Sequence, residues 1–361
     1  MQSGSHNVSL DEDSEILDLN SADAIVHLEY TAATLPSLED VAKANGGGQW
    51  TRFVCISDTH TRTYEVPDGD VLLHGGDLTK LGKESEMKTT MEWLYEMPHK
   101  VKVVIAGNHD LTLHRDWYEK DRERWHSKKE VKRSYHADST AVHDLVSGKK
   151  AQDSGIIYLE NERATFQIAP DRRQWSVYGS PWSPEFFHWA FNYKREEAEQ
   201  IVSQYEKTDI LMTHGPPHNI LDLTTSSENA GCETLAAYLT LGRLRPRLHI
   251  FGHIHEAHGA HIHSWESDGR CEPLQVQNDL NYPHHLTESD SEGEAKRIDK
   301  VRTVTEKCQA RALEKNGDPD LQRTVFVNAA TYPQGRNVWK DGKRSGHGGA
   351  RFRPVVVDLR D

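Results

Sequence analysis

The chain has 361 residues, with 56 Asp and Glu against 43 Lys and Arg, a formal charge of -13. That balance disfavours broad adhesion to nucleic acid or to an anionic membrane surface, and no apolar run approaches the ~20 residues that span a bilayer. Four widely spaced cysteines (Cys55, Cys232, Cys271 and Cys308) form no CxxC pair, so a disulfide framework is not expected and a reducing, cytoplasmic setting is the default.

Residues 1–50 mix acidic and small residues and end in Asn45-Gly46-Gly47-Gly48. They read as a variable N-terminal extension with a flexible joint and room for a short strand at Ala24-Ile25-Val26. Residues 51–361 read as a single domain. Arg52-Phe53-Val54-Cys55-Ile56 is a short apolar run of the kind buried on both faces of a sheet, and Val71-Leu72-Leu73 and Val103-Val104-Ile105-Ala106 repeat it. Between these last two, Met87, Met91, Leu94 and Met97 fall at three- and four-residue steps, which predicts a one-faced helix stopped by Pro98. Residues 119–154 are rich in charge and predict a solvated helix plus loop.

Ile210-Leu211-Met212 and Leu248-His249-Ile250-Phe251 are further strands, separated by a helical candidate from Cys232 to Leu241. Residues 264–322 carry Glu288-Ser289-Asp290-Ser291-Glu292-Gly293-Glu294 and few apolar residues, an acidic insert that is disordered or loosely helical. Strand character returns at Thr324-Val325-Phe326-Val327-Asn328 and Pro354-Val355-Val356-Val357-Asp358. Strands alternating with helices argue for α/β layering with a largely parallel sheet, in which ligands gather at the carboxyl ends of strands.

Five candidate strands end in chemistry-bearing residues: Asp58-Thr59-His60, Gly76-Asp77, Gly107-Asn108-His109-Asp110, His214-Gly215 and Gly252-His253-Ile254-His255. Carboxylate, imidazole and amide oxygen without thiolate suit divalent ions, and one carboxylate can bridge two of them. A metal pair about 3.5–4 Å apart clamps the attacking and leaving oxygens of an in-line displacement and makes hydroxide available near neutral pH. Each segment alone is compatible with an ordinary turn or strand edge. In order, on successive strand ends, they point to one site.

The ordered set resembles the calcineurin-like metallophosphoesterase superfamily. Arg52 through His60, Met212-Thr213-His214-Gly215-Pro216-Pro217 and Phe251 through Glu256 are similar to its metallophosphoesterase-domain-containing branch, whose animal members are described as phosphodiesterases acting on cyclic nucleotides. So are Tyr178-Gly179-Ser180-Pro181-Trp182 and Phe326-Val327-Asn328-Ala329-Ala330. The resemblance covers about residues 51–263 and 324–358. It implies an α/β, four-layer αββα sandwich, two mixed β-sheets flanked by helices. It implies two divalent metal ions (Mn, Fe or Zn), with Asp58, His60 and His255 on the first, Asp77 shared, and Asn108, His214 and His253 on the second. His109 and Asp110 are the implied catalytic groups. His109 would lie over the phosphate, which Asn108 and His253 also contact, and Asp110 (where relatives carry Glu) would support the ligands from behind.

The expectation is therefore a metal-dependent phosphoric ester hydrolase, a phosphodiesterase taking a small-molecule phosphate ester, a nucleotide phosphodiester, cyclic or not, by in-line attack of a metal-bridging hydroxide. Three alternatives stay open: a serine/threonine-type protein phosphatase, a nucleotide-binding scaffold with little turnover, and a nuclease. The best basic cluster for the last is Arg243, Arg245 and Arg247. Trp182, Phe186, Phe187 and Trp189 would make either a base-stacking wall or the core of a short helix.

Overall fold

The computed structural model describes residues 18–126, 137–265, 322–333, 339–340, 343–349 and 351–361. Most of the insert expected at 264–322 lies outside them, as do Cys271 and Cys308.

Strands β1 (Asp18–Asn20) and β2 (Ala24–His27) precede α1 (Leu38–Ala44), β3 (Trp50–Ile56), β4 (Val71–His74), α2 (Glu84–Glu96) and β5 (Val101–Ile105). Helices α3 (Arg115–His126), α4 (Ser139–Ser147) and α5 (Lys149–Asp153) lead to β6 (Ile156–Leu159), β7 (Glu162–Gln167) and β8 (Gln174–Ser180). Short strands β9 (Ser183–Pro184) and β10 (Asn192–Tyr193) flank a loop, followed by α6 (Ala198–Val202), β11 (Ile210–Thr213) and α7 (Glu233–Thr240). Then come β12 (Leu248–Phe251), β13 (Gly259–Ser264), β14 (Arg323–Asn328), the pair β15 (Trp339–Lys340) and β16 (Lys343–Arg344), and β17 (Val355–Arg360).

Seven strands form one sheet in the order β1-β2-β17-β3-β4-β5-β6, and six form another in the order β13-β14-β12-β11-β8-β7. Strands β3 to β6 are mutually parallel, as are β8, β11, β12 and β14, while the outer partners run antiparallel. The apolar runs alternate between two cores, as the two-residue period of a strand requires. Phe53, Cys55, Leu73 and Val103 meet Trp175, Val177, Met212, Ile250 and Val327 between the sheets. Phe53 and Trp175 touch edge to face at 5.1 Å. The alternate residues Val54, Ile56, Leu72 and Val104 face Met87, Met91 and Leu94 of α2 and Val142 and Val146 of α4. On the far side Leu211, Phe251 and Phe326 lie against Val202 of α6 and Leu235 and Leu239 of α7. The result is the four-layer αββα sandwich of two mixed sheets.

Residue 50 does not divide packed from unpacked chain. Strand β2 pairs with β17 inside the first sheet, and Ile25, Val41 and Trp50 pack together beside it. Two acidic residues of this segment, Glu39 and Asp40, sit in the first turn of α1, where they complement the helix dipole. Gly46, Gly47 and Gly48, with φ of 78°, 80° and 90°, turn the chain from α1 into β3. The charged stretch at 119–154 carries more structure than one helix and a loop, because Val142 and Val146 bury one face of α4. Residues 182–189 form no helix. No helix among the described residues is long and apolar enough to cross a membrane.

Candidate metal centre

The polar residues singled out in the sequence follow the carboxyl ends of β3, β4, β5, β11 and β12, and both sheets present these ends to one pocket. The backbone there is unusual: Asp58, His60, Asp77 and His253 adopt φ of 54°, 45°, 55° and 67°. Left-handed non-glycine residues cost about 1–3 kcal/mol each and persist only where their surroundings over-determine them. The neighbouring glycines are sterically required. A Cβ on Gly107 would fall 2.3 Å from Asp77 Oδ1, and one on Gly252 would fall 2.1 Å from Asp58 Oδ2.

Asp58, His60, Asp77 and His255 are all buried, and each offers a ligand atom within 4.8 Å of the others. His255 Nε2 lies 2.9 Å from Asp58 Oδ1 and 3.4 Å from His60 Nε2, and His60 Nε2 is 3.7 Å from Asp77 Oδ2. Asp77 reaches the other half of the pocket through Oδ1, which is 3.4 Å from His214 Nε2. That nitrogen is 2.9 Å from Asn108 Oδ1. The His253 ring lies beside His214 with centroids 5.1 Å apart, while its backbone N–H donates to Asp58. All seven expected ligands therefore converge, four in a tight cluster and three around the other side of Asp77.

Second hydrogen bonds fix the rings. His60 Nδ1 faces the Thr79 carbonyl at 3.1 Å, and His214 Nδ1 faces the Gly75 carbonyl at 2.9 Å. Such carbonyls hold Nδ1 protonated and leave Nε2 as the donor to a cation. Burial depresses the pKa values of His60, His214 and, to about 3, His253, which keeps these rings neutral. Burial acts to raise the Asp58 carboxyl, yet the His255, His214 and His60 rings hold it well below the usual range. Burial and the charges of Asp58 and Asp110 push Asp77 well above it. Two buried carboxyl groups whose ion-pair contacts among the described residues are all with histidine rings fit a divalent cation.

His109 flanks this cluster. Its Nδ1 faces the Lys80 carbonyl at 2.7 Å, its backbone N–H donates to Asp77 Oδ1 at 2.8 Å, and its ring stacks on Trp189 at 4.0 Å. Burial lowers its pKa to about 4. Asp110 is fully buried, accepting from the backbone N–H groups of Leu78, Thr79 and Gly107 and from the Thr79 hydroxyl. Its carboxylate staples two ligand loops together.

Sequence reasoning missed Tyr332, whose ring lies 5.2 Å from that of His60 and 5.3 Å from that of His255. It follows β14, so the rule that located the other residues would have found it. His347, 4.8 Å from Tyr332, comes from a glycine-rich loop with no such signal. The aromatic residues near 182–189 divide: Trp182 and Trp189 are partly buried, whereas Phe186 and Phe187 are exposed.

The sequence profile of the calcineurin-like phosphoesterase family matches residues 51–257, an interval containing all seven expected ligands. The relatives named Metallophosphoesterase domain-containing protein 1, from Homo sapiens and from Mus musculus, are each 40% identical over 233 residues, 62% of this chain. The matched part spans 65% of the length of those two proteins. A UPF0046 protein of Caenorhabditis elegans is 32% identical over 243 residues, which cover 63% of this chain and 58% of that protein.

Proposed function

The chain belongs to the calcineurin-like phosphoesterase family, and from that premise we propose that it is a metal-dependent hydrolase of phosphate esters that cleaves phosphodiesters, nucleotide esters among them, with a pair of divalent ions. The observation that carries this reading is the convergence of Asp58, His60, Asp77 and His255 donor atoms within 4.8 Å in a buried setting. Asp58, His60 and His255 would hold one ion, Asn108, His214 and His253 the other, and Asp77 would serve both through its two oxygens. When bound, the ions supply the charge that makes hydroxide available near neutral pH and that offsets charge on the phosphoryl oxygens.

The protein's own residues orient and exclude. With Nδ1 donating to the Lys80 carbonyl, His109 keeps Nε2 as its unprotonated ring nitrogen, and the ring lies 4.7 Å from that of His60. A phosphate anion beside the ring raises its proton affinity. The ring then takes up a proton from solvent as substrate binds and passes it to the leaving oxygen as that oxygen's bond to phosphorus breaks, while a water that has released one proton to solvent attacks phosphorus from the opposite side. No covalent enzyme intermediate forms. Asp110 acts as a positioning residue, its oxygens being occupied by the protein's own donors. The nucleotide class rests on the resemblance of the sequence motifs to a branch whose animal members are described as cyclic-nucleotide phosphodiesterases.

Metal analysis of the purified protein, together with steady-state rates on bis-p-nitrophenyl phosphate, cyclic nucleotides, monoesters and phosphopeptides, tests the proposal. Metal-dependent turnover of diesters ahead of phosphopeptides is expected. Preferred turnover of phosphopeptides would transfer the reading to a protein phosphatase, and a metal-loaded protein inert on all four classes would leave a scaffold.

A further inference from the structure

Between β9 and β10 the chain makes a tight excursion whose form is not explained by its own packing. Phe187, His188 and Phe191 adopt left-handed φ of 47°, 58° and 49°, a conformation unfavourable for side chains of this size. The loop is nevertheless fixed. Asn192 Oδ1 accepts from the Phe186 and Trp189 backbone N–H groups at 3.2 and 3.1 Å, and Asn192 Nδ2 donates to Ser183 Oγ at 3.0 Å. Arg124 of α3 donates to the Phe187 carbonyl, and Trp125 of α3 packs on Trp189 at 4.0 Å. This fixed loop holds two large apolar side chains in solvent: Phe186 is 52% and Phe187 72% exposed, in edge contact at 4.5 Å.

Their place relative to the metal centre suggests an occupant. The Phe186 ring lies edge-on to the His253 ring at 6.1 Å, and Trp189, three residues on, stacks against His109. The pair of phenylalanines is thus continuous with the pocket that receives phosphate, on the side of the ligand His253. A group reaching that lip while phosphate sits among the ligands is covalently attached to the phosphorus.

We infer that Phe186 and Phe187 form the specificity lip of the site and hold the flat, apolar organic group of the phosphate ester, so that aromatic esters are preferred over small alkyl ones. This rests on the phosphoesterase reading and adds the residues that choose the substrate. Stacking against two preformed rings stabilises such a group with little conformational cost, because the loop is already held in place.

The test uses the full-length, metal-loaded protein and two non-hydrolysable probes, phenylphosphonate and methylphosphonate, whose binding is measured by calorimetry so that turnover is not required. The wild type should bind phenylphosphonate about tenfold more tightly, a difference equivalent to roughly 1.4 kcal/mol. In Phe186→Ala/Phe187→Ala that preference should vanish, with methylphosphonate affinity and metal content unchanged. Phe187→Leu, which keeps an apolar group but removes a ring, should retain part of it. Equal affinity of the wild type for the two probes, or a preference that survives the double substitution, overturns the inference and leaves the phosphoesterase reading intact. Failure of both probes to bind defeats that reading and the lip together.

Discussion

The Asp77 carboxyl reaches both halves of the pocket, Oδ2 toward His60 and Oδ1 toward His214. Asp77→Ala should therefore deplete all bound metal and abolish turnover. His109 borders the cluster without belonging to it, so His109→Ala should keep its metal while kcat falls by roughly 10²–10⁴, the usual yield of proton transfer. Loss of metal from His109→Ala would contradict the assignment. Gly252 gives a sharper steric test. Its missing side chain leaves room for Asp58 Oδ2 and Ser57 Oγ, which an added Cβ would approach to 2.1 and 2.3 Å. Gly252→Ala should retain native circular dichroism, lose metal affinity, and cost about 1–3 kcal/mol in urea unfolding, the usual penalty for overpacking. Each of these residues was legible in the sequence because one short motif carries both ligand and glycine. The stack of Trp189 on His109 was not legible, since it joins residues from different loops that only the packing of two sheets brings together.

Among the elements, β2, β3 and β17 are clasped by a buried ionic group. Arg52 Nε and Nη2 donate to the two oxygens of Asp358 at 2.7 Å, Nη2 also reaches the Pro36 carbonyl at 2.8 Å, and His27 Nε2 lies 3.0 Å from Asp358 Oδ2. Asp358→Ala strands a buried guanidinium and should cost about 3–5 kcal/mol by denaturant titration, whereas an exposed ion pair would register under 1 kcal/mol. The arginines that suggested a nucleic-acid track each lie over an aromatic ring of the same chain. Arg243 lies over Tyr238, Arg245 over Trp265, and Arg247 over Trp175 while donating to the Arg360 carbonyl. Strands buried on both faces were readable as apolar runs. Strand β7, largely exposed along its length, was not, because an edge strand with one dry face carries little hydrophobic signal. Strand β8 did offer a two-residue alternation in Trp175 and Val177 that could have been taken up.

At the scale of the whole molecule, acid sensitivity should come partly from outside the metal centre. Burial acts to raise Asp209, but hydrogen bonds from Ser176 and the Arg173 guanidinium hold its pKa below the ordinary value, and Asp361 is held low in the same way by Arg172 and Thr51. A carboxyl depressed in the folded state contributes stability above its unfolded pKa and loses it as pH falls through the folded value. Unfolding followed from pH 6 down to about 2 should therefore show Asp209→Asn with a flatter acid limb than the wild type, and identical limbs would refute the linkage. The layered architecture was readable from the alternation of strands and helices, but the role of the N-terminal strands was not, because β2 is completed by a partner distant in sequence. That partner has a temporal consequence. Strand β3 borders β17, Cys55 lying opposite Val355. At ribosomal rates of about 5–20 residues per second, one edge of Phe53-Val54-Cys55-Ile56 stays unpaired for roughly 15–60 s after it emerges. Throughout that interval a bare, greasy strand edge is open to pairing with any passing chain until the late strand slots in.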